Sequence, residues 1–173
     1  MSPPGQEERL HVRARQAPEP RANVDTGLPV LDHLLGVLAR YASLDVSLAI
    51  APGEGRAEIA AAVHALGTEL ARELRAPGAR GYGSAAMPAA EALAHVVLET
   101  SEAPLFVSNV DLSEARLGGL GSDVVAETLR AFADGARINL HVRLIAGDDA
   151  GNVLEAMFKA LGVAVAQACS RKE

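Results

Sequence analysis

One pattern, met twice, constrains this chain more than anything else in it: helix, strand, turn, helix over residues 28–75 and again over 123–168. In the first copy a helix is expected over Leu28–Tyr41, with Leu31, Leu34, Leu35 and Leu38 on one face. Asp25-Thr26-Gly27 precedes it, and Pro29 sits in its first turn, where a missing N–H is no loss. Leu44–Ala51 then alternates, with Leu44, Val46, Leu48 and Ile50 opposite Asp45 and Ser47, as a half-buried strand does. Pro52-Gly53-Glu54-Gly55 reads as a turn. Glu58–Arg75 returns to helix on Ile59, Val63, Leu66, Leu70 and Leu74, until Pro77-Gly78 stops it.

In the second copy, Asp123–Asp134 is helical on Val125, Leu129 and Phe132. Ile138–Ile145 is the sharpest strand, with Ile138, Leu140, Val142 and Leu144 on one face and Asn139, His141 and Arg143 on the other. Asn152–Ala168 closes as a helix on Val153, Met157, Leu161 and Val165. Between the copies, Gly78–Met87 reads as a Gly-rich loop, and Ala92–Glu99 and Leu105–Asp111 as strands separated by Pro104. A tandem repeat of this kind predicts an α+β layered domain, sheets on one side and a helical layer on the other. The expected divisions are a flexible N-terminus over 1–8, a first half over 9–77, a second half over 78–169 and a tail over 170–173.

With 173 residues, 49% of them apolar, the chain can bury a real core. Aromatics make up 3% and Trp is absent, so that core must be built from Ala, Val and Leu. A net charge of −6 argues against a nucleic-acid partner, which needs clustered Lys and Arg. Cys169 is the sole cysteine, which excludes an internal disulfide and a thiolate metal site and reads as a tolerated thiol. Met1–Glu8 lacks the apolar core of a signal peptide, and no apolar run approaches the ~20 residues of a membrane span. A cytoplasmic location without membrane partners is the default expectation.

Three stretches carry a family resemblance. Thr26-Gly27-Leu28-Pro29-Val30-Leu31-Asp32-His33-Leu34-Leu35 resembles a TG-x-x-F-x-DHML segment. Ala136-Arg137-Ile138-Asn139-Leu140-His141-Val142-Arg143 resembles an NARxNLHIR strand, and Glu155-Ala156-Met157-Phe158-Lys159-Ala160 an EAxFKA helix. Smaller echoes lie at Ala65-Leu66-Gly67, Tyr82-Gly83-Ser84-Ala85 and Glu91-Ala92-Leu93-Ala94, all in register over about residues 7–168. Together they resemble the imidazoleglycerol-phosphate dehydratase family. That resemblance implies two fused ββαβα-like halves giving two four-stranded sheets and a four-helix layer, the ribosomal protein S5 domain 2-like fold. It also implies trimers that assemble into 24-subunit shells. The implied reaction is loss of water from imidazole glycerol phosphate, in histidine biosynthesis. Two manganese ions, held by two HHxxE helix motifs and single histidines, would act there as Lewis acids.

Carried over residue by residue, the resemblance makes His33, His141 and Glu155 the surviving metal ligands, Lys159 and Arg80 substrate-binding residues, and Glu7 the N-terminal catalytic glutamate. Other positions have changed. The histidine after Leu38-Ala39-Arg40 is Tyr41, a poor ligand while its phenol stays protonated. The first HHxxE motif falls on Arg56, Ala57 and Ala60, and Arg56 would repel a cation. The second falls on Gly151, Asn152 and Glu155. His64 matches no ligand position and is expected on a helix flank. His141, on the polar face of its strand, is read as a cross-strand hydrogen bonder, and Glu155 with Lys159 as a helix-surface pair. The loop Gly147–Asn152 is expected to be a turn with a helix cap. The phosphate-binding arginine position falls on Gly81, with Arg80 one residue off, and a second arginine is replaced by Ala103.

Three functions follow. The first is a non-catalytic dehydratase-like shell or scaffold, a homo-oligomer or a partner for an intact dehydratase paralogue, with no cofactor expected. The second is an active hydro-lyase with a rearranged manganese site on His33, His64, His141 and Glu155. The third is a metal-free protein binding a different small ligand.

Overall fold

Each copy of the repeat builds one sheet and lays two helices on it. The computed structural model describes residues 10–51, 55–111, 116–117 and 120–172. In chain order the elements are β1 (Leu10–Gln16), β2 (Ala22–Asp25), α1 (Pro29–Ala42), β3 (Leu44–Ile50), α2 (Arg56–Leu74), β4 (Tyr82–Ala89), β5 (Ala92–Thr100), β6 (Leu105–Ser108), β7 (Arg116–Leu117), β8 (Leu120–Gly121), α3 (Ser122–Ala136), β9 (Ile138–Ala146) and α4 (Ala150–Cys169). The first sheet runs β1-β3-β2, with β1 antiparallel and β2 parallel to β3. The second runs β4-β5-β9-β6, with β5 antiparallel and β6 parallel to β9. Thus β1, β2, α1, β3 and α2 match β5, β6, α3, β9 and α4, and β4 is an addition on the second side. The α+β fold is as expected. Among the described residues, however, the first sheet has three strands rather than four. Glu7 and the N-terminal segment expected to be flexible lie outside the described residues.

The apolar stripes read from the sequence are the core. Every stripe residue named for α1, α2, α3 and α4 is buried, as are Leu44, Val46, Leu48, Ile138, Leu140 and Val142. α1 and α2 lie on the first sheet and α3 and α4 on the second, and the helices meet across the middle, α1 on α4 and α2 on α3. Neither half closes its core alone.

Two matched crossings set this packing. A methyl on Gly67 would stand 2.6 Å from the Phe132 carbonyl and 2.7 Å from the Ala136 nitrogen; one on Gly162 would stand 2.8 Å from the Leu38 carbonyl and 3.1 Å from the Ala42 nitrogen. α1 and α3 also end alike, on left-handed residues Ser43 and Arg137, each with φ 56°.

The stretch expected to be a Gly-rich loop, Gly78–Met87, is corrected from Tyr82 on. It is β4, whose small residues are there because α4 lies directly on it. A Cβ on Gly83 would fall 2.0 Å from the Ala164 carbonyl oxygen, so bulk that normally marks a strand has no room. A second correction concerns membrane-length segments. α4, 20 residues at mean hydropathy 1.2, is long and apolar enough to span a bilayer by length and composition. Here it is the central core helix, packed on β4, β5 and α1.

The link between the halves is clasped by the end of α4. Arg80 and Gly81 donate N–H groups to the carbonyls of Ser170 and Ala168, and Lys172 donates to that of Gly78. Arg171 reaches the Pro77 carbonyl, and Arg75 donates to the carbonyls of Ala136 and Arg137.

Candidate metal centre

The α1–α4 crossing brings together two of the three expected ligands. His33, one turn into α1, faces Glu155, one turn into α4, with Nε2 3.8 Å from Oε1; the side chains are 63% and 37% exposed. Local chemistry fixes both helix starts. Asp32 accepts hydrogen bonds from the Thr26 amide (2.8 Å) and hydroxyl (2.5 Å). Asp149 caps α4 by accepting the Asn152 N–H at 2.9 Å, as expected for the Gly147–Asn152 loop. Asn152, at a motif position, donates its side-chain amide to Glu91.

The α2–α3 crossing holds a different set. Arg56 is the first residue of α2, and its guanidinium spans to α3, with Nη1 3.0 Å from Asp123 Oδ2 and Nη2 2.7 Å from Glu127 Oε1. The hydrogen bond to Glu127 is the largest influence on Arg56; with the charges of Asp123 and Glu127 it outweighs the opposing effect of burial and raises the Arg56 pKa. Ala57 and Ala60 carry no ligand atom. These two acids are what reading the sequence missed. Their spacing marks one helix face, but nothing local says that this face meets the start of α2.

His141 stands apart. Ile138, Leu140 and Val142 of β9 face the helices, so His141 lies on the outer face of the second sheet, exposed. It lines an open cleft of about 400 Å³ with Tyr82, Ser84, Val97, Glu99 and Asn139. The expected cross-strand hydrogen bond is not made by His141 among the described contacts. On this face it belongs to His95, whose Nε2 is 2.9 Å from Ser84 Oγ. The buried Asn139 Oδ1, also on this strand, has no hydrogen-bond partner among the described residues.

The other candidates are scattered. Lys159 does not pair with Glu155 among the described ion pairs; its Nζ donates to the Pro88 carbonyl (3.2 Å) and lies 5.7 Å from the Tyr41 ring centre. Arg80 stacks on Tyr82 at the cleft edge, 4.6 Å from the ring centre. His64 is exposed on α2. The Cys169 thiol is buried and pushed up to about 12, by burial first and then by the Glu73 charge, which suits an inert thiol. Among the described residues, no three His, Cys, Asp or Glu side chains converge to hold a metal ion.

The frame, by contrast, has clear relatives. Residues 26–165 match the family profile for imidazoleglycerol-phosphate dehydratase. The chain belongs to the imidazoleglycerol-phosphate dehydratase family. It is 34% identical over 148 residues to the imidazoleglycerol-phosphate dehydratase of Pelobacter propionicus, covering 83% of this chain and 75% of that one. With that of Moorella thermoacetica the identity is 36% over the same shares. The crystal structure of the dehydratase from Staphylococcus aureus superposes with a TM-score of 0.86 at 26% identity, covering 96% of each chain. Relatedness therefore spans the whole frame.

Proposed function

We propose that this member of the dehydratase family is non-catalytic and works as a scaffold or partner subunit. The observation that carries the reading is Arg56. A guanidinium, always charged, holds the motif position at α2 and is already engaged by Asp123 and Glu127. The separation of His141, on the outer face of the second sheet, from the paired His33 and Glu155 supports it. So does the logic of assembly, since a homo-oligomer cannot supply residues that every copy lacks. An intact dehydratase subunit could, which makes a mixed assembly the natural setting. We take the chain to act in the cytoplasm, as a homo-oligomer or beside such a partner, with no resident cofactor.

The test is direct. The full chain is purified in manganese, bound metal is counted and turnover of imidazole glycerol phosphate is measured. Sub-stoichiometric metal and no turnover are expected; stoichiometric metal with ordinary enzyme rates would sink the proposal and favour the rearranged-site reading.

A second reading draws on the cleft beside His141, where Glu99, Asn139 and Ser84 line the wall next to the Tyr82 ring. It makes the protein a metal-free binder of a small polar ligand. A thermal-shift ligand screen with and without chelator checks it: hits that vanish with chelator count against it.

A further inference from the structure

We infer that the outer face of the second sheet is where two copies of this chain meet, face to face about a twofold axis that crosses the strands. The inference rests on the homo-oligomer reading above and names its contact surface.

The first support is where apolar surface is left in water. Tyr82, Val97, Leu105, Val107 and Ile145 are the large hydrophobic side chains exposed among the described residues, at 41% to 57%. All five belong to the second sheet and, by strand alternation, to its outer face. Scattered singly, such residues need no account; gathered on one face they mark a contact surface. The first sheet gives the contrast. Its outer face carries Arg13, Arg15, Asn23, Asp45 and Ser47, with Arg15 and Asp45 3.8 Å apart. That face suits water, and the second does not.

The second support is the register, which makes the face complementary to itself. Across the strands its outward residues fall in rows. One row is Tyr82, Glu99, Asn139 and Leu105; the next is Ser84, Val97, His141 and Val107; the third holds Ala86, His95 and Arg143. Glu99 thus stands on one side of the middle row, and Arg143 with His95 on the other. Rows are about 7 Å apart, two residues of strand, so Glu99 and Arg143 are too distant to pair within one chain. Neither takes part in the ion pairs among the described residues.

A twofold axis along the middle row sets Val97 and Val107 against their own copies. It also lays the Glu99 row of each copy over the Arg143 row of the other, one charge pair on each side. An axis along the strands would instead lay Arg143 over His95 and leave Glu99 facing Asn139. Stacking the second sheet on the first would set the apolar row against Arg13 and Arg15. The charges therefore select a second copy in one orientation, an isologous contact. The two sheets stack about 10 Å apart, as packed sheets do, and the partner closes the cleft beside His141.

The experiment is analytical ultracentrifugation of the full chain. It compares wild type, Val97→Lys, Glu99→Arg, Arg143→Glu, an equal mixture of the two charge variants, and Arg13→Glu on the first sheet. Circular dichroism shows that each is folded, and Val107→Lys repeats the apolar test should Val97→Lys fail to fold. Wild type should self-associate. Val97→Lys, Glu99→Arg and Arg143→Glu should each weaken association by about tenfold or more, the scale of an unfavourable charge at an interface. Arg13→Glu should not. In the mixture one chain carries two arginines at these positions and the other two glutamates. Both charge pairs are then remade, and association should return. An association untouched by Val97→Lys, or a mixture no tighter than the single variants, would overturn the inference and leave the homo-oligomer standing. A monomeric wild type would overturn both. Turnover by the wild type would overturn the non-catalytic reading alone.

Discussion

Asp123 shows how much one neighbour can decide at a residue. Burial alone would raise its carboxyl, but the Arg56 charge and the Val124 N–H outweigh burial and hold it below the usual carboxylate range. Glu91 is lowered too, by its own amide N–H, the Asn152 side chain and the Asp149 N–H. A carboxyl whose folded pKa lies below its unfolded value stabilises fully above the unfolded value, and that stability is lost as pH falls through the folded one. Acid should therefore erode the fold below about pH 4, the ordinary carboxylate region, and Arg56→Gln should remove part of the effect. Circular dichroism followed through an acid titration checks this: a profile for Arg56→Gln that coincides with wild type would mean that Arg56 does not set the Asp123 contribution. His33 and Glu155 were legible as residues because their types and positions match the family. That they face each other was not, since it depends on how two distant helices cross.

At the scale of elements, the sequence was most readable where burial is periodic. α1, α2, α3, α4, β3 and β9 all lie where their apolar spacing puts them, within a residue or two at each end. β4 was missed for a physical reason. Its defining constraint is the closeness of α4, which selects Gly and Ala and erases the bulky alternation that marks a strand. β1 and β2 gave too short or too polar a signal to be read. The helix crossings were equally invisible, though glycine records them. Gly135 of α3 leaves no space at all: a methyl there would fall 2.0 Å from the His64 carbonyl oxygen of α2. Gly135→Ala should therefore push the two helices apart and cost roughly 1–3 kcal/mol or more, the range for overpacking. Urea denaturation would show it as a lower midpoint, and an unchanged midpoint would mean the α2–α3 contact is softer than its geometry.

For the whole molecule, the separation of frame from chemistry is spatial. Four of the positions that the resemblance marks as changed, Arg56, Ala57, Gly151 and Asn152, lie in the first turns of α2 and α4. The glycines and stripes that hold the helices lie further along, so the one set can change without disturbing the other. The clasp at the opposite end of these helices carries a different consequence. Arg75, Arg80, Pro77 and Gly78 form the kind of basic, irregular link between two halves that trypsin ordinarily finds first. Here Arg75 is held to the end of α3, and the backbone at Gly78, Arg80 and Gly81 is bonded to residues 168–172. A protease cuts chain that has opened locally, so this link should be cut only when α4 lets go. Trypsin applied to the folded protein, with fragments weighed over time, should leave the bonds after Arg75 and Arg80 intact until denaturant is added. Two stable fragments parted at this link under native conditions would show the clasp to be open in solution. With the clasp closed, the seam between the repeats is protected by the far end of the chain, which makes the last turn of α4 the guard against the protein being split into its two halves.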